Sequence, residues 1–246
     1  LHSQLGIAGT GLTSGSEDQT TQPPFRGILE YTIRPPQCKH AEMGNYLSWI
    51  LTQLGFNNLQ KEATLVVVGL DNAGKTTLLT RLVTGKLNSS LPPTKRATDE
   101  TFHLSGITFN AWDLGGHEAV RHLWSEYSPK AHGIIYMIDA TDKRRFVEAG
   151  EELELLVMDI VEANQNGSED APTIPIAVFL NKYDRENAVP MKEVTKAISL
   201  MELMEDIGHS KQYHPSAVPP IEVFCGSVVE NRGYQKAFQW LSEFVV

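Results

Sequence analysis

The sequence predicts an α/β protein built on a six-stranded, mainly parallel sheet with helices on both faces. Three observations carry this expectation. The apolar runs 64–68, 133–139 and 176–180 lack polar alternation, as strands covered on both sides do. Stretches of helical length follow them in turn, which is the order of a parallel sheet with crossover helices. Segment 101–113 does alternate and contains Ser105-Gly106, which reads as a hairpin supplying one antiparallel edge strand.

Residues 1–42 stand apart. They are rich in Gly, Ser, Thr, Gln and Pro, including Pro23-Pro24 and Pro35-Pro36, and show no helical or strand period. Such a stretch buries too little apolar surface to offset its chain entropy, so disorder is expected. The first methionine is Met43, and two readings follow: an upstream extension foreign to the native protein, or a genuine regulatory segment.

From Met43 to Gln60 no residue is charged. Tyr46, Leu47, Ile50, Leu51 and Leu54 recur at spacings of three and four, with Asn45, Ser48, Thr52 and Gln53 on the opposite side. This is the pattern of an amphipathic helix. It is too polar to span a bilayer and suits the headgroup region, with Trp49 and Phe56 as interfacial anchors. A helix packed on the core is the other reading. If Met43 initiates translation, Met43-Gly44-Asn45-Tyr46-Leu47-Ser48 also fits M-G-x-x-x-[ST], the signal for myristoylation at Gly44.

Residues 61–246 hold the chemistry. After the strand at 64–68 comes Gly69-Leu70-Asp71-Asn72-Ala73-Gly74-Lys75-Thr76-Thr77, an ungapped G-x-x-x-x-G-K-[ST] that then opens a helix. A strand feeding a helix through glycines aims backbone N–H groups and the helix's positive end at an anion. Lys75 is then the charge on the β- and γ-phosphates of a nucleotide, and the Thr76 hydroxyl a ligand for Mg²⁺.

Two further motifs follow in order. Asp113-Leu114-Gly115-Gly116-His117 ends the hairpin's second strand. There Asp113 can hold Mg²⁺ through water, and Gly116 lets its N–H approach a γ-phosphate. Asn181-Lys182-Tyr183-Asp184 follows the strand at 176–180. Asp184 can accept from guanine N1–H and the 2-amino group, donors that adenine lacks, which favours GTP over ATP. Asn181 braces the loop, and the Lys182 stem lies along the base. All three motifs fall at strand ends, where ligands of such sheets bind.

The remaining elements are a long helix at 143–163, an exposed loop at 164–170 and a last helix at 233–244. A formal charge of −9 without a Lys/Arg stripe argues against nucleic acid as a partner. Cys38 and Cys225 cannot build a disulfide framework, and Cys225 reads as a buried small hydrophobe.

Together the three motifs resemble the ADP-ribosylation factor (Arf) superfamily of small GTPases, over roughly residues 46–246. His117, where Arf-type members usually carry Gln, is similar to the Sar branch that serves the COPII coat. So are Glu222-Val223-Phe224-Cys225-Gly226-Ser227-Val228, Arg232-Gly233-Tyr234, Phe238-Gln239-Trp240 and the extra segment at about 204–220.

The resemblance implies a P-loop small GTPase fold preceded by the amphipathic helix, GTP/GDP with Mg²⁺ as ligands, and hydrolysis of GTP to GDP and phosphate. It implies nucleotide contacts from Asp71, Asn72, Ala73, Gly74, Lys75, Thr76 and Thr77, from Gly116, from Asn181, Lys182 and Asp184, and from Ser227 and Val228. Metal contacts fall to Thr76, Asp113 and Thr98. Thr98 sits in Arg96-Ala97-Thr98 where the family usually has His-Pro-Thr, and Thr94 is the alternative. His117 orients the attacking water or simply starts the next helix. Arg121 is not expected to act as an arginine finger; a GTPase-activating subunit of the COPII inner coat would supply that charge. A membrane-bound exchange factor and endoplasmic reticulum lipids complete the implied partners, at the cytoplasmic face of the endoplasmic reticulum and Golgi. The second reading is an Arf-like, myristoylated trafficking or scaffold protein with little turnover.

Overall fold

The computed structural model describes residues 61–87, 94, 97–104, 106–166, 173–210 and 212–244. The segments 1–42 and 43–60, most of 88–96 and the loop residues 167–170 lie outside the described residues.

The strands are β1 (Lys61–Val68), β2 (Thr98–Leu104), β3 (Ile107–Asp113), β4 (Gly133–Asp139), β5 (Ile176–Asn181) and β6 (Ile221–Cys225). They form one six-stranded sheet in the order β2-β3-β1-β4-β5-β6, parallel except for the β2–β3 hairpin. This is the predicted architecture. Between them run α1 (Lys75–Thr84), α2 (His122–Tyr127), α3 (Phe146–Asn166), α4 (Met191–Ala197), α5 (Leu200–His209) and α6 (Tyr234–Ser242).

Strand side chains alternate between two cores, which is why the central strands read as unbroken apolar runs. Val66, Val68, Tyr136, Val178 and Leu180 face the core formed with α2, α3, α4 and α5. Leu65, Val67, Met137 and Phe179 face the core formed with α1 and α6, where Phe102, Phe109 and Phe238 cluster with ring centroids 5.4–5.7 Å apart.

Three boundaries differ from expectation. β2 begins at Thr98, because Thr98, Asp99 and Glu100 continue the ladder opposite Asp113, Trp112 and Ala111 despite their polarity. α3 starts at Phe146, after a 3₁₀ turn at Lys143–Arg145, and continues to Asn166, so 164–166 is helix and not loop. Its last turn packs on the turn Pro215–Ala217, and the Asn164 amide donates to Ala217 O at 2.9 Å. Cys225 is only partly buried, because β6 is a sheet edge.

Candidate functional site

The carboxyl ends of β1, β3 and β5 open on one cleft of about 410 Å³. Asp71, Asn72, Gly74, Lys75, Thr76, Thr77, Thr94, Gly116, His117, Asn181, Lys182, Asp184 and Val228 line it. The three motifs, separated by scores of residues in the chain, therefore meet at one place. Ala73 and Ser227 lie behind the wall, 1% and 0% exposed.

The phosphate loop is shaped by backbone constraints. Gly69 (φ 127°) passes so close to β4 that a Cβ would sit 2.1 Å from Met137 O. Gly74 (φ 100°) caps α1 in a left-handed conformation. Among the described residues no side chain caps that helix end, and its first turn holds no acidic residue, so the positive end of α1 faces the cleft. This is an anion site in the making. Lys75, 6% exposed, donates to Gly69 O (2.8 Å) and Leu70 O (2.9 Å). Burial lowers its ammonium from the ordinary 10.5 to about 8, against the opposing pull of the Asp113 and Asp71 charges.

Next to it, three oxygens converge. Thr76 Oγ1 donates to Asp113 Oδ2 at 2.7 Å, and Thr94 Oγ1 lies 2.8 Å from Thr76 Oγ1 and 3.1 Å from Asp113 Oδ2. Asp113 is 2% exposed, and its Oδ1 is buried with no hydrogen-bond partner among the described residues. Burial raises its pKa, while the Thr76 bond and the Lys75 charge pull it back. An orphaned carboxylate oxygen beside two hydroxyls is an all-oxygen donor set, which fits Mg²⁺ with phosphate oxygens completing the shell. Thr98 is placed otherwise than expected: it opens β2 opposite Asp113 but is exposed, and the hydroxyl that reaches Thr76 and Asp113 is that of Thr94.

Gly116 lies on the phosphate loop, where a Cβ would come 2.3 Å from Asp71 N and 2.4 Å from Gly69 O. Trp124 Nε1 fastens the preceding residue by donating to Gly115 O at 3.1 Å. His117 is exposed at the rim, and its Nδ1 accepts from Ala119 N at 3.4 Å as the cap of the 3₁₀ turn Glu118–Val120. The ring thus starts the next helical turn and also lines the cleft.

At the other end, the buried Asn181 donates to Ala73 O (2.9 Å) and accepts from Val228 N (3.0 Å), tying the phosphate loop to the loop after β6. Lys182 (φ 67°) is anchored to Asp139 Oδ2 at 2.6 Å. Asp184 Oδ1 is buried beside the cleft without a partner among the described residues. Its Oδ2 lies 3.5 Å from Arg185 Nε, so Oδ1 is the oxygen that calls for a donor, and the edge of guanine offers N–H groups.

Sequence reasoning missed Asp139, Arg145 and Glu148. Arg145 Nη1 lies 2.9 Å from Asp71 Oδ1 and its Nε donates to Glu148 Oε2 at 2.7 Å. The i,i+3 spacing of Arg145 and Glu148 at the start of a predicted helix was the available signal.

A glycine-shaped loop at a helix start, an all-oxygen cluster and a buried carboxylate beside one cleft on this sheet are the arrangement of a P-loop nucleotide-binding protein of the small GTPase class. The family model for the ADP-ribosylation factor family matches residues 47–245. The chain is 35% identical over 198 residues to the small COPII coat GTPase SAR1 of Giardia intestinalis, covering 80% of this chain and 97% of that one. It is 33% identical over 201 residues to the protein of the same name from Nicotiana tabacum (80% and 95% covered) and 30% identical over 203 residues to ADP-ribosylation factor-like protein 1 of Saccharomyces cerevisiae (82% and 97%). Among solved structures, the Arl6 BBS3 small GTPase of Trypanosoma brucei, with a bound GppNp analogue, superposes with a TM-score of 0.61 at 25% identity, covering 74% of this chain and 96% of that one. The mammalian SRP receptor shares the fold at a TM-score of 0.59 and 20% identity, with 74% and 99% covered.

The chain belongs to the ADP-ribosylation factor family of small GTPases. Members bind guanine nucleotides and hydrolyse GTP, and this protein is a GTPase of that kind. No helix among the described residues is long and apolar enough to cross a membrane.

Proposed function

We propose that this GTPase is a switch of the Sar type: residues 61–246 bind GTP, residues 43–60 insert into the endoplasmic reticulum membrane as an amphipathic helix, and the loaded form recruits the COPII inner coat for transport to the Golgi. One observation carries the nucleotide half of this reading: among the described residues two buried carboxylate oxygens lack a partner, Asp184 Oδ1 beside the cleft and Asp113 Oδ1 behind Thr76 and Thr94, which line it. Mg²⁺ and guanine are the groups that would satisfy them. The coat half rests on His117 and on the likeness to the two proteins named small COPII coat GTPase SAR1.

In this reading GTP and water give GDP and phosphate. The chain's own contribution is placement and charge. Lys75 and the N–H groups at the start of α1 stabilise the phosphate charge, and Gly116 N–H reaches the γ-phosphate. His117, at the rim, orients the attacking water. Thr76, Thr94 and Asp113 would hold Mg²⁺, which would supply positive charge to offset that of the phosphates. Asp184 reads guanine, and Asn181 keeps the base loop and the phosphate loop in register. The activating subunit of the coat supplies an arginine, and a membrane-bound exchange factor reloads GTP.

The likeness to ADP-ribosylation factor-like protein 1 and the Met43–Ser48 pattern favour a second reading, an Arf-like protein myristoylated at Gly44.

The experiment is co-sedimentation of the full chain with liposomes and purified inner-coat subunits, under GDP and under a non-hydrolysable GTP analogue, with phosphate release followed in parallel. GTP-dependent recovery of coat on vesicles, and faster hydrolysis when coat is added, are expected. Vesicle binding that ignores the coat supports the second reading.

A further inference from the structure

The cleft's two nucleotide-facing loops are joined by a chain of ion pairs whose linking residues, Arg145, Glu148 and Arg121, lie outside the three motifs. Asp71 Oδ1, in the phosphate loop, lies 2.9 Å from Arg145 Nη1. Arg145 grips Glu148 through Nε to Oε2 (2.7 Å) and Nη2 to Oε1 (2.9 Å). The same Glu148 Oε1 accepts from Arg121 Nη2 at 2.5 Å. Arg121 in turn donates through Nη1 to Glu152 Oε1 (2.6 Å) and through Nε to Gly116 O (3.0 Å). Gly116 itself rests on the backbone of Leu70 and Asp71.

The path is therefore a ring: phosphate loop, Arg145, Glu148, Arg121, Gly116, and back to the phosphate loop. Its fixed point is the first two turns of α3, whose Phe146, Ala149 and Leu153 are buried in the core. The Arg121 side chain is 10% exposed and uses three of its nitrogens, so its guanidinium is committed to holding the loop and is not available to a phosphate. Glu148 is held as a carboxylate at about 2 chiefly by its Arg145 bonds, so the ring stays charged across the working pH range.

We propose that Arg121 and Glu148 are positioning residues for hydrolysis: by fixing Gly116 O against α3 they set where His117 stands relative to the phosphate loop, without touching nucleotide themselves. The proposal rests on the GTPase reading above. Because the pair sets geometry next to the reacting centre and not the binding of GDP, it acts on the rate of the chemical step. Small displacements there weigh heavily, as about 1 Å can change a rate by roughly a hundredfold.

The test uses the full chain loaded with GTP. Single-turnover phosphate release, affinity for a fluorescent GDP, and thermal midpoint are measured for wild type, Glu148→Gln, Arg121→Lys and the double variant. Each single change is expected to slow hydrolysis about tenfold while GDP affinity stays within about twofold, and the double variant to be no slower than the worse single one, because coupled groups act as a unit. If Glu148→Gln does not fold, Glu148→Asp carries the test, being charged but one methylene too short to reach both guanidiniums. Rates within about twofold of wild type overturn the proposal. So does a rate loss matched by an equal loss of GDP affinity, which marks a structural role. Failure of the wild type itself to retain or hydrolyse GTP overturns the reading beneath, and is seen before any variant is made.

Discussion

Thr94 Oγ1 lies 2.8 Å from Thr76 Oγ1, and both hydroxyls meet the same oxygen of Asp113. A residue from the segment between α1 and β2 is thus seated on the Thr76–Asp113 oxygen pair while Thr98, four places on, is exposed on β2. Thr94→Val is expected to weaken Mg²⁺-dependent retention of GTP about 10-fold or more, the cost of one hydrogen-bonding group at a charged site. Thr98→Val should change it little. Mg²⁺ titrations of nucleotide release on the two variants check this. The reverse ranking would return the metal role to Thr98.

Asp184 gives a second prediction. Its Oδ1 is buried and unpaired among the described residues, so a base that donates to it is expected to fit. Asp184→Asn exchanges an acceptor for a donor, and GTP affinity should fall by roughly 10²–10⁴, up to the lower end of the discrimination that hydrogen-bonded sites reach. Xanthosine triphosphate, which carries an acceptor where guanine has its 2-amino group, should gain. Competition binding with the two nucleotides decides the matter, and undiminished GTP affinity would remove Asp184 from base recognition.

Lys75 makes binding pH-dependent. Burial holds its ammonium at about 8, and a bound polyphosphate needs the charged form. Above that pH the free protein must take up a proton to bind, so affinity should fall as pH rises through 8. The same shift acts on folding with a definite sign. The folded value lies below the unfolded one, so the burial cost is fully present below about pH 8 and is relieved as pH rises towards 10.5. Titration calorimetry near pH 8.5 in two buffers of different ionisation enthalpy should show proton uptake on GDP binding. Heats that do not depend on the buffer would contradict the assignment.

The sheet and the cleft were legible because their signals are local. Runs such as 64–68 and 133–139 declare strands covered on both faces, and Gly69 to Thr77 shapes the phosphate loop by backbone geometry alone. What escaped depends on distant partners. Thr98 opens a strand because Asp113 lies opposite, not because its neighbours alternate. Arg145 and Glu148 have helical spacing, but only the fold brings Arg121 and Asp71 to them. Gly150 looks like a weak point in α3 until the joint between α4 and α5 is placed: a Cβ there would lie 2.8 Å from Ile198 O.

Asn181 supports the last prediction, which separates architecture from chemistry. The residue is 4% exposed, and its side chain satisfies one carbonyl and one N–H belonging to two different loops. Asn181→Ala leaves Ala73 O and Val228 N–H unpaired in a buried setting, at about 1–3 kcal/mol each before relaxation. Stability of the nucleotide-free protein should therefore fall by about 2–4 kcal/mol, with the urea m-value unchanged because the same surface is exposed on unfolding. Asn181→Asp keeps the acceptor for Val228 N–H but sets a carboxylate against Ala73 O. Nucleotide affinity should drop in both variants, since the base loop and phosphate loop lose their common tie, whereas an Asp184 variant should lose affinity with little loss of stability. Urea unfolding and GDP titration on the three variants distinguish the two behaviours; equal stability of Asn181→Ala and wild type would mean that the loops are held in register by other contacts.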